Sequence, residues 1–180
     1  MYRRLIFTCV IAVGIVLHVL SLGAWAKGEY LSQTAFLDQA FAGIQPAARV
    51  CWLNDRDKET ALDIFSHRYA GLRVRYWQAK EKTAWIVDEI GKTRPITIGV
   101  VVTPERKIER VRILAFRESR GWEVRYPAFT RQFVGVSAVS PGTELDTSID
   151  GVTGATLSVK AVKRVARFAL YLHERCTSDI

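Results

Sequence analysis

Histidine, cysteine and methionine are scarce in this chain of 180 residues, with three, three and one of each. His67 and His173 stand apart from any cysteine, no His-Glu-x-x-His occurs, and no Gly-x-x-x-x-Gly-Lys loop precedes a helix. Metal-dependent chemistry and nucleotide hydrolysis therefore have no sequence footing. Ser137 and Ser140 lack a Gly-x-Ser-x-Gly setting and a His/Asp relay, which sets serine hydrolysis aside. Five prolines, twelve glycines and no internal repeat exclude a collagen-like or low-complexity chain, and 24% charged residues exclude a polytopic membrane protein.

What the chain does have begins at its N-terminus. Arg3 and Arg4 precede an apolar run from Leu5 to Leu22, broken only by Thr8, Gly14, His18 and Ser21, and Ala24-Trp25-Ala26 places small residues at both cleavage-recognition positions. Residues 1–26 are expected to be a signal peptide. The alternative is an uncleaved anchor, for which residues 5–22 are at the short end of what spans a bilayer. Residues 27–180 then form a single domain in an exported, periplasmic or otherwise extracytoplasmic space. The formal net charge of +8 falls to +6 once Arg3 and Arg4 of the leader are removed, and the chain that remains still favours anionic partners or membrane surfaces. Nucleic acid is not an expected partner, because dense Lys/Arg runs and RNA-binding signatures are missing. Cys9 falls in the leader, and Cys51 and Cys176 are either a bridged pair or two separate thiols.

Apolar spacing predicts a helix over 29–43 and a second over 57–69. The period then changes. Val74–Trp77 and Ala84–Val87 flank a polar turn at 80–83, and Ile96–Val102 and Ile108–Ala115 flank Pro104-Glu105-Arg106-Lys107, giving two hairpins. Pro127–Phe133 reads as a short helix begun by proline. The last helix carries Leu157, Ala161, Val165, Phe168, Ala169 and Leu172 on one face and Lys160, Lys163, Arg164 and Arg167 on the other. The expected fold is α+β: an antiparallel sheet of at least four strands packed against N- and C-terminal helices.

Chemistry concentrates in Asp150-Gly151-Val152-Thr153-Gly154-Ala155-Thr156, which ends where that last helix begins. Free backbone N–H groups and the positive end of the helix dipole favour a phosphate there, and the hydroxyls of Thr153 and Thr156 add hydrogen bonds or an attachment point. The plainer reading makes Thr156 the N-cap of a helix starting at Leu157 and the glycines turn residues.

The segment resembles the attachment motif of the FMN-binding domain family, which includes the C subunit of the sodium-pumping NADH:quinone reductase and the G subunit of the Rnf complex. That motif reads Asp, two variable residues, Ser/Thr, Gly, Ala, Ser/Thr. Asp150, Thr153, Gly154, Ala155 and Thr156 match every specified position. The resemblance covers about residues 96–172 and includes a loop at Glu118-Ser119-Arg120-Gly121, where many members have Glu-Thr-Pro-Gly. It implies FMN joined through a phosphoester to Thr156, placed there by an FAD:protein FMN transferase, with Asp150, Thr153, Gly154, Ala155, Glu118 and Gly121 as cofactor-binding positions. The chain would be the substrate of that transferase and carry no catalytic residue of its own.

The expectation is an exported flavoprotein with covalent FMN that passes electrons between donor and acceptor proteins, membrane-bound or soluble. Trp122, Phe129 and Phe133 are the aromatic candidates for a wall beside the flavin ring. The basic face of the last helix suits an acidic redox partner, an anionic membrane or plain solvation. Two rivals stand beside this reading: a flavin-dependent reductase with its own small substrate, and a non-catalytic module that binds a phosphate-bearing ligand.

Overall fold

The computed structural model describes residues 28–140 and 144–177. The expected leader lies outside the described residues. Helix α1 spans Gln33–Phe41, with the Ser32 hydroxyl accepting from the Ala35 N–H. It starts later than its apolar spacing suggests, because Gly28–Tyr30 is captured by the sheet. Glu29 bridges Ala115, the Phe116 N–H donates to the Gly28 carbonyl at 2.7 Å, and the Tyr30 N–H donates to the Leu114 carbonyl at 2.8 Å. Strand β1, Ala47–Trp52, follows Pro46. Helix α2, Asp55–Phe65, opens with reciprocal bonds in which Asn54 and Asp57 each satisfy the other's N–H. It ends before the expected 69, because Ser66 turns left-handed with φ +60° and its N–H closes on the Leu62 carbonyl.

Strands β2 (Arg73–Ala79), β3 (Lys82–Ile90), β4 (Pro95–Val102) and β5 (Ile108–Phe116) complete a five-stranded antiparallel meander in the order β1-β2-β3-β4-β5. A 3-10 turn at Trp122–Arg125, the short helix α3 at Pro127–Thr130 and a second 3-10 turn at Arg131–Phe133 follow. The chain closes with helix α4, Thr156–Thr177.

The sheet is covered on both sides, giving α+β in three layers. On one face Phe36, Ala40 and Phe41 of α1 pack on Trp77, Ala84, Val101 and Leu114. On the other, α2 and α4 pack on Val74, Tyr76, Trp85, Val87, Ile98, Val100 and Val102. Strand β4 serves both cores, which is why Val100-Val101-Val102 is apolar without alternation. Helix α4 contributes Ala161, Val162, Val165, Ala166, Phe168, Ala169 and Leu172, all fully buried. At about 1.5–3 kcal/mol for a fully buried large aliphatic or aromatic side chain, this stripe holds the helix in one orientation.

Three links fix the C-terminal end of α4. The Tyr171 hydroxyl donates to Asp57 of α2 at 2.6 Å, and Asp57 is itself buried. The Trp85 Nε1–H donates to the Thr83 hydroxyl at 2.8 Å, and that hydroxyl lies 2.8 Å from His173 Nδ1, placed to donate to a neutral ring. Burial, assisted by the nearby Arg106 cation, pushes His173 from 6.5 down to about 4. The third link is covalent: Cys51 of β1 and Cys176 of α4 form a disulfide across a Cα–Cα distance of 5.9 Å and 125 residues of chain. It ties the edge strand to the end of the helix.

The bridge closes a long loop, so its removal releases much unfolded-state entropy. Replacing both Cys51 and Cys176 by Ala is expected to lower unfolding stability by about 3 kcal/mol, read from urea curves with and without reductant. His173 gives a separate acid signature. Its folded pKa lies below its unfolded value, so between about 6.5 and about 4 the unfolded chain binds the extra proton and stability falls as pH falls. His173→Gln should flatten the stability profile in that window, as measured by denaturation at stepped pH.

Candidate functional site

Loop and helix meet at Ala155. Its carbonyl accepts the first helical bond, from the Val159 N–H at 2.9 Å, while its own N–H returns to the Val152 carbonyl at 2.9 Å. Ala155 thus occupies the N-cap position, with a methyl group where a capping oxygen usually sits. Thr156 is the first helical residue and not the cap. Its side chain is exposed, and its hydroxyl has no hydrogen-bond partner among the described residues. Gly154 makes the preceding turn with φ +81°, a conformation costly to any side chain, although no atom lies within 4 Å of where a Cβ would stand. Its role is conformational, while the buried methyl of Ala155 seals the helix start against the core.

Thr153 and Asp150 are also exposed. The Asp150 N–H donates to Gln132 Oε1 at 2.7 Å, which ties the motif to the segment after α3. The Asp150 carboxylate makes no hydrogen bond among the described residues, so it does not cap its own turn. Upstream, the Ala138–Leu145 bridge and the Ser137 hydroxyl, which donates to Asp146 at 2.7 Å, hold the approach to the motif.

The second expected segment splits into two roles. Gly121 presses against the first turn of α4: with φ +87°, a Cβ there would meet Ser158 Oγ at 2.4 Å and Ala155 Cα at 3.5 Å. The loop and the attachment motif are therefore packed together, and only glycine permits it. Glu118 points elsewhere. Its Oε1 accepts from the N–H groups of Lys92, Thr93 and Arg94 at 2.6, 2.6 and 2.8 Å, and its Oε2 from the Thr93 hydroxyl at 3.1 Å. Partial desolvation pushes this carboxyl up, but the Arg94, Thr93 and Lys92 amides and the Thr93 hydroxyl outweigh it and hold it at about 2. Glu118 clamps the β3–β4 turn to the end of β5.

Of the three aromatic candidates, Phe129 and Phe133 are buried against each other edge-on. Trp122 is 37% exposed. The basic residues of α4 recur with Thr156 at spacings of four, seven, eight and eleven, and so share its helix face. Lys160, Lys163, Arg164 and Arg167 form one wall of a groove of about 450 Å3, opposed by the end of α2 at Asp63–Ser66 and the loop at Glu144–Ser148. Inside that wall Arg164 pairs at 3.3 Å with Glu89, a buried carboxylate that His67 Nε2 also meets at 3.1 Å. Neither this groove nor the Glu89 pair is visible from residue spacing, since their partners come from distant parts of the chain.

Residues 91–171 match the family model described as FMN-binding domain. The match runs from the turn clamped by Glu118, through β4, β5 and the Asp150–Thr156 motif, into α4. This segment belongs to the FMN-binding domain family, and the protein is an FMN-binding flavoprotein. No curated protein matches the chain closely enough to add a relative.

The Glu118 clamp has a testable signature. Its folded pKa lies below the ordinary 4.5, so its contribution is complete above that value and is lost as pH falls from about 4.5 toward 2. Glu118→Gln should lower stability at neutral pH and remove the part of the acid transition that falls in this window. Denaturant titrations of wild type and variant at pH 7, 4 and 3 measure both effects.

Proposed function

We propose that the chain is an exported electron carrier that holds FMN through a phosphoester on Thr156 Oγ1. The observation that carries this reading is an exposed threonine hydroxyl, without a hydrogen-bond partner among the described residues, on the first residue of a 22-residue helix, at the last position of the matched motif and inside an FMN-binding domain. The residues present suit the group. Helix-start amides favour its phosphate, Gly154 leaves open space beside it, and Lys160 lies one turn further along the same face to offset its charge. FMN, when bound, supplies the redox chemistry, and the protein supplies position and electrostatics.

A threonine hydroxyl is a weak nucleophile at neutral pH. Attachment therefore requires an FAD:protein FMN transferase as partner. The Thr156 Oγ1–phosphorus bond forms as the pyrophosphate bond of FAD breaks, AMP leaves, and the hydroxyl proton passes to a base of the transferase. Thr153 and Asp150, both open to solvent, are placed for that enzyme to grip. Gly121 keeps the neighbouring loop seated against the helix start.

The Cys51–Cys176 bridge supports export, because such bonds persist in oxidising compartments. A phosphoester suits the same setting, since it retains one cofactor regardless of affinity where free FMN would diffuse away. The donor and acceptor are redox proteins at or near the membrane. The groove of about 450 Å3 beside α4 favours a second reading, a reductase with its own small substrate.

Coexpression with the transferase should raise the intact mass of the wild type by one FMN less one water, and Thr156→Ala should remove the whole increment. Wild type that stays unmodified beside a demonstrably working transferase overturns the covalent reading. Rapid reoxidation of the loaded, reduced protein by one small metabolite would move the assignment to the reductase.

A further inference from the structure

One feature of the surface is used by neither the core nor the attachment motif. The Arg125 guanidinium lies 4.4 Å from the Tyr30 ring centroid, 4.9 Å from Trp122 and 5.2 Å from Tyr126. All three rings remain solvent-exposed, at 39, 37 and 44%. Three half-exposed aromatics around one cation is an uncommon use of rings that a core would otherwise absorb. Beside them lies a hollow of about 270 Å3, which Arg112 also lines and which no acidic side chain lines among the described residues, although Glu29 and Glu123 are near in sequence.

The position of this cluster in the chain identifies its occupant. Tyr30 lies eight residues beyond Leu22, the end of the apolar N-terminal run. Eight extended residues reach at most about 30 Å. Tyr30 is itself pinned to the free edge of β5 through its N–H bond to Leu114. A membrane-embedded N-terminal run would thus leave the bilayer next to this cluster. Tyr and Trp have apolar bodies and polar tips and settle at headgroup depth, where an arginine meets lipid phosphates. Of the formal net charge of +8, Arg3 and Arg4 precede the run, so the remainder of the chain keeps +6, which draws it toward an anionic surface.

We infer that the Tyr30–Trp122–Arg125–Tyr126 cluster is a membrane-facing surface that seats the domain on an anionic phospholipid bilayer. It rests on the reading of the chain as an exported protein that meets a membrane. Because Gly121, next to Trp122, packs on the first turn of α4, the seated domain holds the attachment motif close to the lipid. A redox partner within the bilayer is then within reach.

The test uses the full-length chain on phosphatidylcholine/phosphatidylglycerol vesicles carrying a headgroup-level spin-labelled lipid. Trp122 emission is obtained as the difference between wild type and Trp122→Phe, and Trp52 emission likewise through Trp52→Phe; Trp52 is 64% exposed on the far edge strand. The expected result is that the spin label quenches Trp122 emission by roughly half or more while leaving Trp52 emission unchanged. Unquenched Trp122, equal quenching of both tryptophans, or a lipid-independent dimer that shields Trp122 overturns the inference. Intact mass of the same samples after coexpression with the transferase reports flavin attachment independently. A flavinylated chain with unquenched Trp122 loses only the membrane surface, and a quenched but unmodified chain loses only the covalent flavin.

Discussion

Helix α4 cannot rotate. Its buried stripe from Ala161 to Leu172 lies across β3 and β4, its far end is tied to β1 by the Cys51–Cys176 bridge, and Tyr171 bonds a buried carboxylate on α2. With the helix fixed about its axis, the direction in which each remaining side chain points is also fixed. Thr156, Lys160, Lys163 and Arg167 face outward because Ser158, Val159, Val162 and Ala166 face inward. The exposure of the Thr156 hydroxyl is thus a consequence of core packing several turns away, and a substitution that loosens the stripe should be felt at the helix start.

Residues 28–90 lie outside the matched segment, yet they are not a separate unit. Strands β3 and β4 pair over eight consecutive residues, from Thr83↔Val102 to Ile90↔Pro95, so one sheet runs unbroken through the boundary at residue 91. The N-terminal elements supply α1 to one face, α2 to the other, the edge strand with its disulfide and the Thr83–Trp85–His173 network. Alone, β4, β5 and α4 would leave the β3-side edge of β4 unpaired and one sheet face without α1. The extra elements build the platform on which the family's motif stands.

Local patterns in the sequence were enough for most of this architecture. The 3.6-residue period marks α4 along its whole apolar stripe, and the β-branched runs around polar turns mark both hairpins. Strand β1 carries no sequence signal, because Ala47–Trp52 is short and its side chains are exposed except Cys51, so no alternation announces it. The apolar spacing of α1 begins before the helix does, because the backbone of Glu29 and Tyr30 is held by β5, some 85 residues away, a pairing that no local pattern contains. Site legibility divides in the same way. Asp150–Thr156 is contiguous and can be read directly, and Gly121 is marked only by the family resemblance of its loop. Glu118 serves amides 24–26 residues distant, and its occupation with the β3–β4 turn emerges only when the sheet brings them together. The bridge between Cys51 and Cys176 was undecidable for the same reason.

The placement of the loop at Gly121 connects two otherwise separate properties. One side of this loop rests on Ser158 and Ala155, and the next residue begins the exposed aromatic cluster. A cofactor tethered at Thr156 and a surface centred on Trp122 would therefore share one rigid support, with Glu118 pinning its upstream end to the β3–β4 turn. In an electron carrier such rigidity has a direct use: with little local reorganisation on docking, the separation between cofactor and partner is set by the fold and not by loop motion. The glycine at 121 is where this coupling is most exposed to substitution, because a methyl group there would collide with the Ser158 side chain and demand an unfavourable backbone angle at once.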